Sequence, residues 1–202
     1  MIVYVESNFL LEVALEQEQL SSAEAILKLT EESKIELAFP SFALSEPFAT
    51  VMHRDNERTK LHQDLTMTLG QLQRSEPHKQ TIHDLQPLLT ILQYAVDREF
   101  ALLHSTLARL LDVGQSIELD KSSLKQALVY QGQFDLGPQD SIIYSTIIAD
   151  LQKRPRQEVK CFLSRDKRAF FAKPGIRSEL TSYNCRYIES FKQGLDFIQH
   201  AL

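Results

Sequence analysis

Four acids that are distant in the chain stand where an α/β sheet would gather them. Glu6 follows the run Ile2-Val3-Tyr4-Val5, and Asp166 follows Val159-Lys160-Cys161-Phe162-Leu163. Glu46 comes shortly after Ile35-Glu36-Leu37-Ala38-Phe39-Pro40, and Asp140 opens an apolar helical stretch with Ile142, Ile143, Ile147 and Leu151. Carboxylates within ~4–6 Å of one another resist joint ionisation unless a cation neutralises them. Hard oxygen donors of this kind suit Mg²⁺ or Mn²⁺, which bind one or two carboxylates directly and keep several waters. Each acid alone also has a plain structural reading. Asp140 would favour a helix dipole, Glu46 would be a solvated first-turn acid, and Asp166 would cap the turn before Phe170. Only the strand-end positions of Glu6 and Asp166 follow directly from the pattern, so the four taken together carry the metal reading.

Other chemistries find little support. Cys161 and Cys185 are the only cysteines, without the spacing of a zinc site or a disulfide framework. Six histidines (His53, His62, His78, His83, His104, His200) fall in or near helical stretches with no His-x-x-x-His pair. No Gly-x-Gly-x-x-Gly or Walker pattern would cradle a nucleotide. The net charge of −5 gives no overall pull toward nucleic acid. Residues 153–177, however, hold nine bases against two acids, with Arg165, Lys167 and Arg168 bordering Asp166. A basic flank beside an acidic pocket suits phosphate-backbone contact.

The elements that must position these groups are legible from periodicity. Short apolar runs at residues 2–5, 35–39, 159–163 and near 185–188 read as buried strands, and Ile117-Glu118-Leu119 as a further one. Helical stretches alternate with them: one capped by Asn8, one opened by the Ser21-Ser22-Ala23-Glu24 capping box, one beginning at Ser41 and bent at Pro47, one capped by Asp120. Strands alternating with helices predict a parallel sheet covered on both faces. Between residues 56 and 111 the texture changes. Leu61, Leu65, Leu69 and Leu72 make one stripe, and Leu88, Leu92, Ala95, Phe100, Leu103, Leu107 and Leu110 another. These predict a helical hairpin with breaks near Glu76-Pro77 and before Pro87, packing against itself or a partner chain. With 202 residues at 43% hydrophobic content, one domain over 1–202 with this helical insertion is expected. No apolar stretch approaches a membrane span and no basic leader opens the chain, so a cytoplasmic protein with no membrane partner is expected.

The segments Glu6-Ser7-Asn8-Phe9-Leu10-Leu11, Ser45-Glu46, Asp140-Ser141-Ile142-Ile143 and Phe162-Leu163-Ser164-Arg165-Asp166-Lys167-Arg168-Ala169-Phe170 together resemble the PIN domain, over about residues 1–52 and 117–190. The strand-Ser-Arg-Asp-x-x-x-Phe piece is the most specific. The resemblance implies a three-layer α/β/α fold and a metal-dependent ribonuclease, including the toxins of toxin–antitoxin pairs. It implies that Glu6, Glu46, Asp140 and Asp166 bind Mg²⁺ or Mn²⁺ and hydrolyse RNA. Ser7, Asn8 and Ser164 would support them, and Arg165, Lys167 and Arg168 would contact RNA. An antitoxin, or self-association through the helical insertion, would be the protein partner. Two departures stand out. The first acidic position is Glu6 where the family usually has Asp, a shift on the order of 1.5 Å for the carboxylate, and the helical insertion is longer than small toxins carry. Glu6 is the residue that favours the alternative, a catalytically weakened PIN-fold protein that binds RNA or serves assembly. A haloacid-dehalogenase-like phosphatase or receiver domain lacks its strand-end aspartate here, because Glu6-Ser7-Asn8 occupies that place.

Overall fold

The computed structural model describes residues 1–202, the side chain of Val96 excepted. Five short strands, β1 (Ile2–Val5), β2 (Glu36–Pro40), β3 (Gln115–Ile117), β4 (Lys160–Leu163) and β5 (Cys185–Ile188), form one sheet in the order β3-β2-β1-β4-β5. Every pairing is parallel, with Tyr4 level with Ala38 on one side and Phe162 on the other. The third strand lies two residues earlier than the Ile117-Glu118-Leu119 run predicts, ending rather than beginning at Ile117.

The strands are uniformly apolar because both sheet faces are covered. Ile2, Tyr4, Phe162 and Cys185 enter one core, together with Ile143, Tyr144 and Ile147 of α6 (Pro138–Leu151) and with Tyr130 of α5 (Lys121–Phe134). Val3, Val5, Leu37, Cys161 and Leu163 enter the opposite core. There they meet α1 (Ser7–Ala14), α2 (Leu20–Glu31) and α8 (Phe191–Ala201) through Phe9, Ile26 and Ile198. Period-two alternation thus splits each strand between two cores, and the result is a three-layer α/β/α fold. α7 (Pro174–Ser182) adds Ile176 and Leu180 to the first core.

Strand order reverses between β1 and β4. The chain steps outward from β1 to β2 to β3, then crosses back to build β4 and β5 on the other side. In such sheets the crevice beyond the carboxyl ends of the strands flanking the switch point is the natural ligand site. Glu6 and Ser164-Arg165-Asp166 leave β1 and β4 at that place.

Helix starts differ from the sequence reading in instructive ways. α1 is capped by Glu6, not Asn8. α2 begins at Leu20 with Gln19 before it, so the Ser21–Glu24 capping box does not form. Gln19 instead takes hydrogen bonds through its side-chain oxygen from the Ser190 hydroxyl at 2.8 Å and the Lys192 N–H at 3.1 Å, which ties α2 to α8. After a 3-10 turn at Ser41–Leu44, α3 runs from Ser45 to Leu72. Pro47 is its third residue and does not bend it, because first-turn N–H groups lack intrahelical partners anyway. A 3-10 turn, Glu76–His78, makes the expected break, and α4 (Lys79–Val113) then continues unbroken through Pro87. The lost hydrogen bond costs about 3 kcal/mol. It is offset by burial at seven-residue steps of Ile82, Leu89, Leu103 and Leu110 along one side of α4. α3 carries Glu46 at its base and runs on into the hairpin as one continuous helix of 28 residues.

Among the described residues, no helix is long and apolar enough to cross a membrane. Ile147 of α6, the helix that bears Asp140, is fully buried in the core against the sheet. Replacing it with Ala should destabilise the protein by about 2–5 kcal/mol in urea unfolding without changing the slope. A loss below about 1 kcal/mol would contradict this placement.

Candidate functional site

Glu6 is the first residue past β1, and its extended backbone puts its side chain over the start of α1. Its carboxylate accepts the Asn8 N–H at 3.0 Å and the Asn8 side-chain amide at 2.7 Å. The extra methylene of Glu lets the carboxylate fold back onto its own helix, and only 5% of the residue remains exposed. Burial pushes the Glu6 carboxyl above its ordinary range, opposed by hydrogen bonds from Asn8, Ser7 and Ser164. The Ser7 hydroxyl lies 2.8 Å from Glu6 and 2.5 Å from Glu46, the second residue of α3. One hydroxyl proton cannot serve two carboxylates. The Ser7 hydroxyl therefore donates to one of them at a time and lies between the two.

On the β4 side, Ser164 is the junction. Its hydroxyl accepts the Asp166 N–H at 3.0 Å, while its carbonyl accepts the Tyr187 hydroxyl at 2.8 Å. Asp166 caps the π-helical turn Lys167–Phe171 by accepting the Ala169 N–H at 2.8 Å. Asp140 lies in the first turn of α6, just after Gly137 and Pro138. A side chain at Gly137 would bring its first carbon to 3.0 Å from an Asp140 carboxylate oxygen, so glycine keeps that approach open. Burial first, then the charges of Asp166 and Glu46, push the Asp140 carboxyl up from 3.8 to about 6. Asp140 of α6 is thus near enough to feel the charges of Glu46 of α3 and Asp166 beyond β4, and Glu6 meets Glu46 through Ser7.

Among the described residues, no three His, Cys, Asp or Glu side chains stand close enough to clasp one ion directly. The donor set nonetheless fits a hard cation that keeps much of its water. Oxygen donors surround the place, and the repulsion on Asp140 is the kind that a divalent ion relieves. Asp140, Asp166 and Glu46 present the available carboxylates, whereas Glu6 is committed to capping α1. An open cleft of ≈ 500 Å³ borders Asp166, lined also by Asn8, Gln17, Arg165, Lys167 and Arg168. A larger cleft, ≈ 640 Å³, lies elsewhere between β5 and α8 and is lined by none of the four acids.

The basic stretch does not form one flank. Lys153, Arg154 and Arg156 precede β4 and so sit at the opposite end of the sheet. Arg154 is forked onto Glu36 at 2.6 and 3.2 Å and reaches Asp150 at 3.1 Å. Lys160 is buried, donating to the carbonyls of Pro155, Glu158 and Tyr183 at 2.6, 2.9 and 3.3 Å. Of the three bases beside Asp166, Arg165 is drawn away into an ion pair with Glu12 and a second with Glu18 at 3.1 Å. Lys167 reaches Glu189 at 3.4 Å. Sequence reasoning missed Glu12, which is fully buried with its other oxygen on the Gln19 N–H. Its signal was a lone acid inside the apolar run Leu10-Leu11-Glu12-Val13-Ala14. Tyr187, whose hydroxyl holds the Ser164 carbonyl, gave no signal beyond its strand.

No family model and no curated protein matches the chain. Among solved structures, VapBC2 from Rickettsia felis, crystallised bound to a DNA fragment from its promoter, aligns with 93% of this chain and 98% of its own. The identity is 12% and the TM-score 0.47, a likeness too slight to carry an activity or a partner across.

Two outcomes follow from the charges. Because folding raises the Asp140 pKa, its contribution to stability is complete below about pH 3.8 and is lost as pH rises through about 6. Asp140→Asn should therefore stabilise the metal-free protein at pH 7, on the order of 1 kcal/mol after solvent screening, with the gain vanishing in melting curves below pH 4. A gain equal at both pH values would contradict the repulsion. Arg165→Ala strands the buried Glu12 and should cost about 3 kcal/mol. Arg168→Ala should stay within about 0.5 kcal/mol in the same unfolding assay.

Proposed function

We propose that this chain is a PIN-type ribonuclease that hydrolyses RNA phosphodiester bonds with a divalent ion, Mg²⁺ or Mn²⁺. The observation that supports this reading best is that Glu6 and Asp166 leave β1 and β4 at the switch point of a parallel sheet, with the charges of Asp166 and Glu46 pushing the Asp140 carboxyl upward. Asp140 and Asp166 would hold the ion, with Glu46 bonded through water. When bound, the ion supplies Lewis-acid activation of water and of the phosphoryl group. Glu6 acts at one remove: it holds Ser7 at 2.8 Å, and Ser7 holds the Glu46 carboxylate at 2.5 Å. Ser164 sets the Asp166 backbone. A carboxylate not neutralised by the ion serves as base for the attacking water. Arg168 and Lys167 stand on the rim of the cleft beside Asp166, where a phosphate backbone would pass. Arg165 braces that loop to α1.

A second reading is favoured by one observation. The Glu6 carboxylate is occupied as the cap of α1, which fits a PIN-fold protein that binds RNA or an assembly partner with weakened catalysis. Incubation of mixed RNA with Mn²⁺ separates the two readings. The nuclease reading expects cleavage that EDTA abolishes and that Asp140→Asn lowers on the order of 100-fold or more. Cleavage indifferent to both would overturn it, and RNA binding without cleavage would select the second reading.

A further inference from the structure

β5 ends the sheet, with β4 on one side of it and no strand on the other. In a parallel ladder the N–H and C=O of one residue point to the same neighbour, and those of the next residue point away from it. The Asn184 and Ile188 carbonyls accept the N–H groups of Lys160 and Ser164 at 3.1 and 3.2 Å, so residues 184, 186 and 188 face β4. Cys185 and Tyr187 therefore aim their N–H and C=O outward, and no hydrogen bond among the described residues engages those groups. Nor does a helix cover the edge. α7 and α8 stand on opposite faces of the sheet, since Ile176 and Leu180 belong to one core and Ile198 to the other. Between them two clefts of ≈ 640 and ≈ 420 Å³ run along β5 and share Arg186, Tyr187 and Phe197 in their walls. Each side of the edge carries an arginine stacked on a phenyl ring. Toward α7, the Arg177 guanidinium carbon lies 5.0 Å from the centre of the Phe171 ring, and toward α8 that of Arg186 lies 5.4 Å from the centre of Phe197. Neither arginine has a carboxylate partner among the described residues, whereas Glu189 in the same groove is held by Lys167 at 3.4 Å. Asp196 lines the larger cleft alone, away from Arg177.

We infer that β5 is a docking edge for an extended segment of another protein, which joins the sheet as a sixth strand and carries two neighbouring acidic residues. The backbone supports the first half. Outward N–H and C=O groups on an edge strand are a template for one more strand, and the side chains around them select which one. Charge complementarity supports the second half. Successive side chains of an added strand point to opposite faces, so one carboxylate meets Arg177 and the next meets Arg186. A guanidinium resting on an aromatic ring is already held in place, with its N–H fork free to take a carboxylate. A second copy of this chain is a poor occupant. Across a two-fold axis normal to the sheet, each Arg186 would share a face with its own counterpart, and like charges placed so repel. An RNA backbone is a poor one too, because the outward carbonyls of Cys185 and Tyr187 are acceptors, as phosphate oxygens are. None of the four acids beyond β1 and β4 lines this groove, so the inference does not rest on the ribonuclease reading.

The probe is a fluorescein-labelled peptide of about nine residues, rich in Thr and Val with a central Asp-Glu pair. Fluorescence anisotropy on the full chain should show binding at micromolar concentration. Arg177→Ala with Arg186→Ala should weaken it about 10-fold or more, and the fold should hold because both side chains are exposed. A peptide with Lys-Lys in place of the acidic pair should bind about 10-fold more weakly or not at all. Hydrogen exchange read by nitrogen-15 NMR supplies a signature of strand addition. In the free protein the Arg186 and Ile188 N–H groups should be protected and those of Cys185 and Tyr187 not, and the peptide should protect all four. No binding at about 1 mM peptide, binding indifferent to the double substitution, or binding without protection of Cys185 and Tyr187 would overturn the inference. So would a chain that dimerises through those two amides, or a short oligouridine that protects them where the peptide does not.

Discussion

Partial burial, and then the charges of Asp166 and Glu46, push the Asp140 carboxyl up to about 6. That repulsion is the constraint around which the carboxyl end of the sheet is organised. Each of the acids leaves a different element, so no local sequence arrangement brings them together. The sheet order does it, by setting β1 beside β4 and by starting α3 and α6 over the same edge. The two apolar cores supply the free energy that holds mutually repelling groups at this distance. A site of this kind is less stable in isolation than the fold around it, and a cation binding there would return stability to the whole molecule.

The polar groups beside the acids show how the arrangement is kept rigid. Ser7 and Ser164 each touch two of the elements, and Tyr187 from β5 fixes the carbonyl of Ser164 at 2.8 Å. Glu12 and Arg165 make a second brace one layer out, joining α1 to the loop after β4. A buried carboxylate with both oxygens engaged locks a loop more firmly than it stabilises the fold. Through it, the position of Asp166 depends on a residue that never enters the cleft.

Much of this was legible in the sequence, and the failures have physical causes. The strands at residues 2–5 and 160–163 announced themselves because burial on both faces demands continuous apolar runs. The caps were harder. Asn8 is the better capping residue by type, yet Glu6 takes the role because its longer side chain reaches back over the helix start. At Ser21, tertiary contacts of Gln19 with α8 overrode a sound local signal. Pro87 was expected to break a helix, and packing at seven-residue intervals carried the helix through it. Charge counting along the chain misled most. The bases of residues 153–177 are contiguous in sequence, but β4 carries the chain across the sheet and splits them between its two ends. Linear density cannot reveal that.

The central claim is that Asp140 and Asp166 share one electrostatic site suited to a divalent ion. The titration of the Asp140 side-chain carboxyl, followed by carbon-13 NMR, tests it directly. The account predicts a midpoint near 6 in the metal-free protein, a clear fall toward the ordinary aspartate value in Asp166→Asn, and a similar fall when Mg²⁺ is added to the wild type. A midpoint that is indifferent both to the loss of Asp166 and to Mg²⁺ would contradict it.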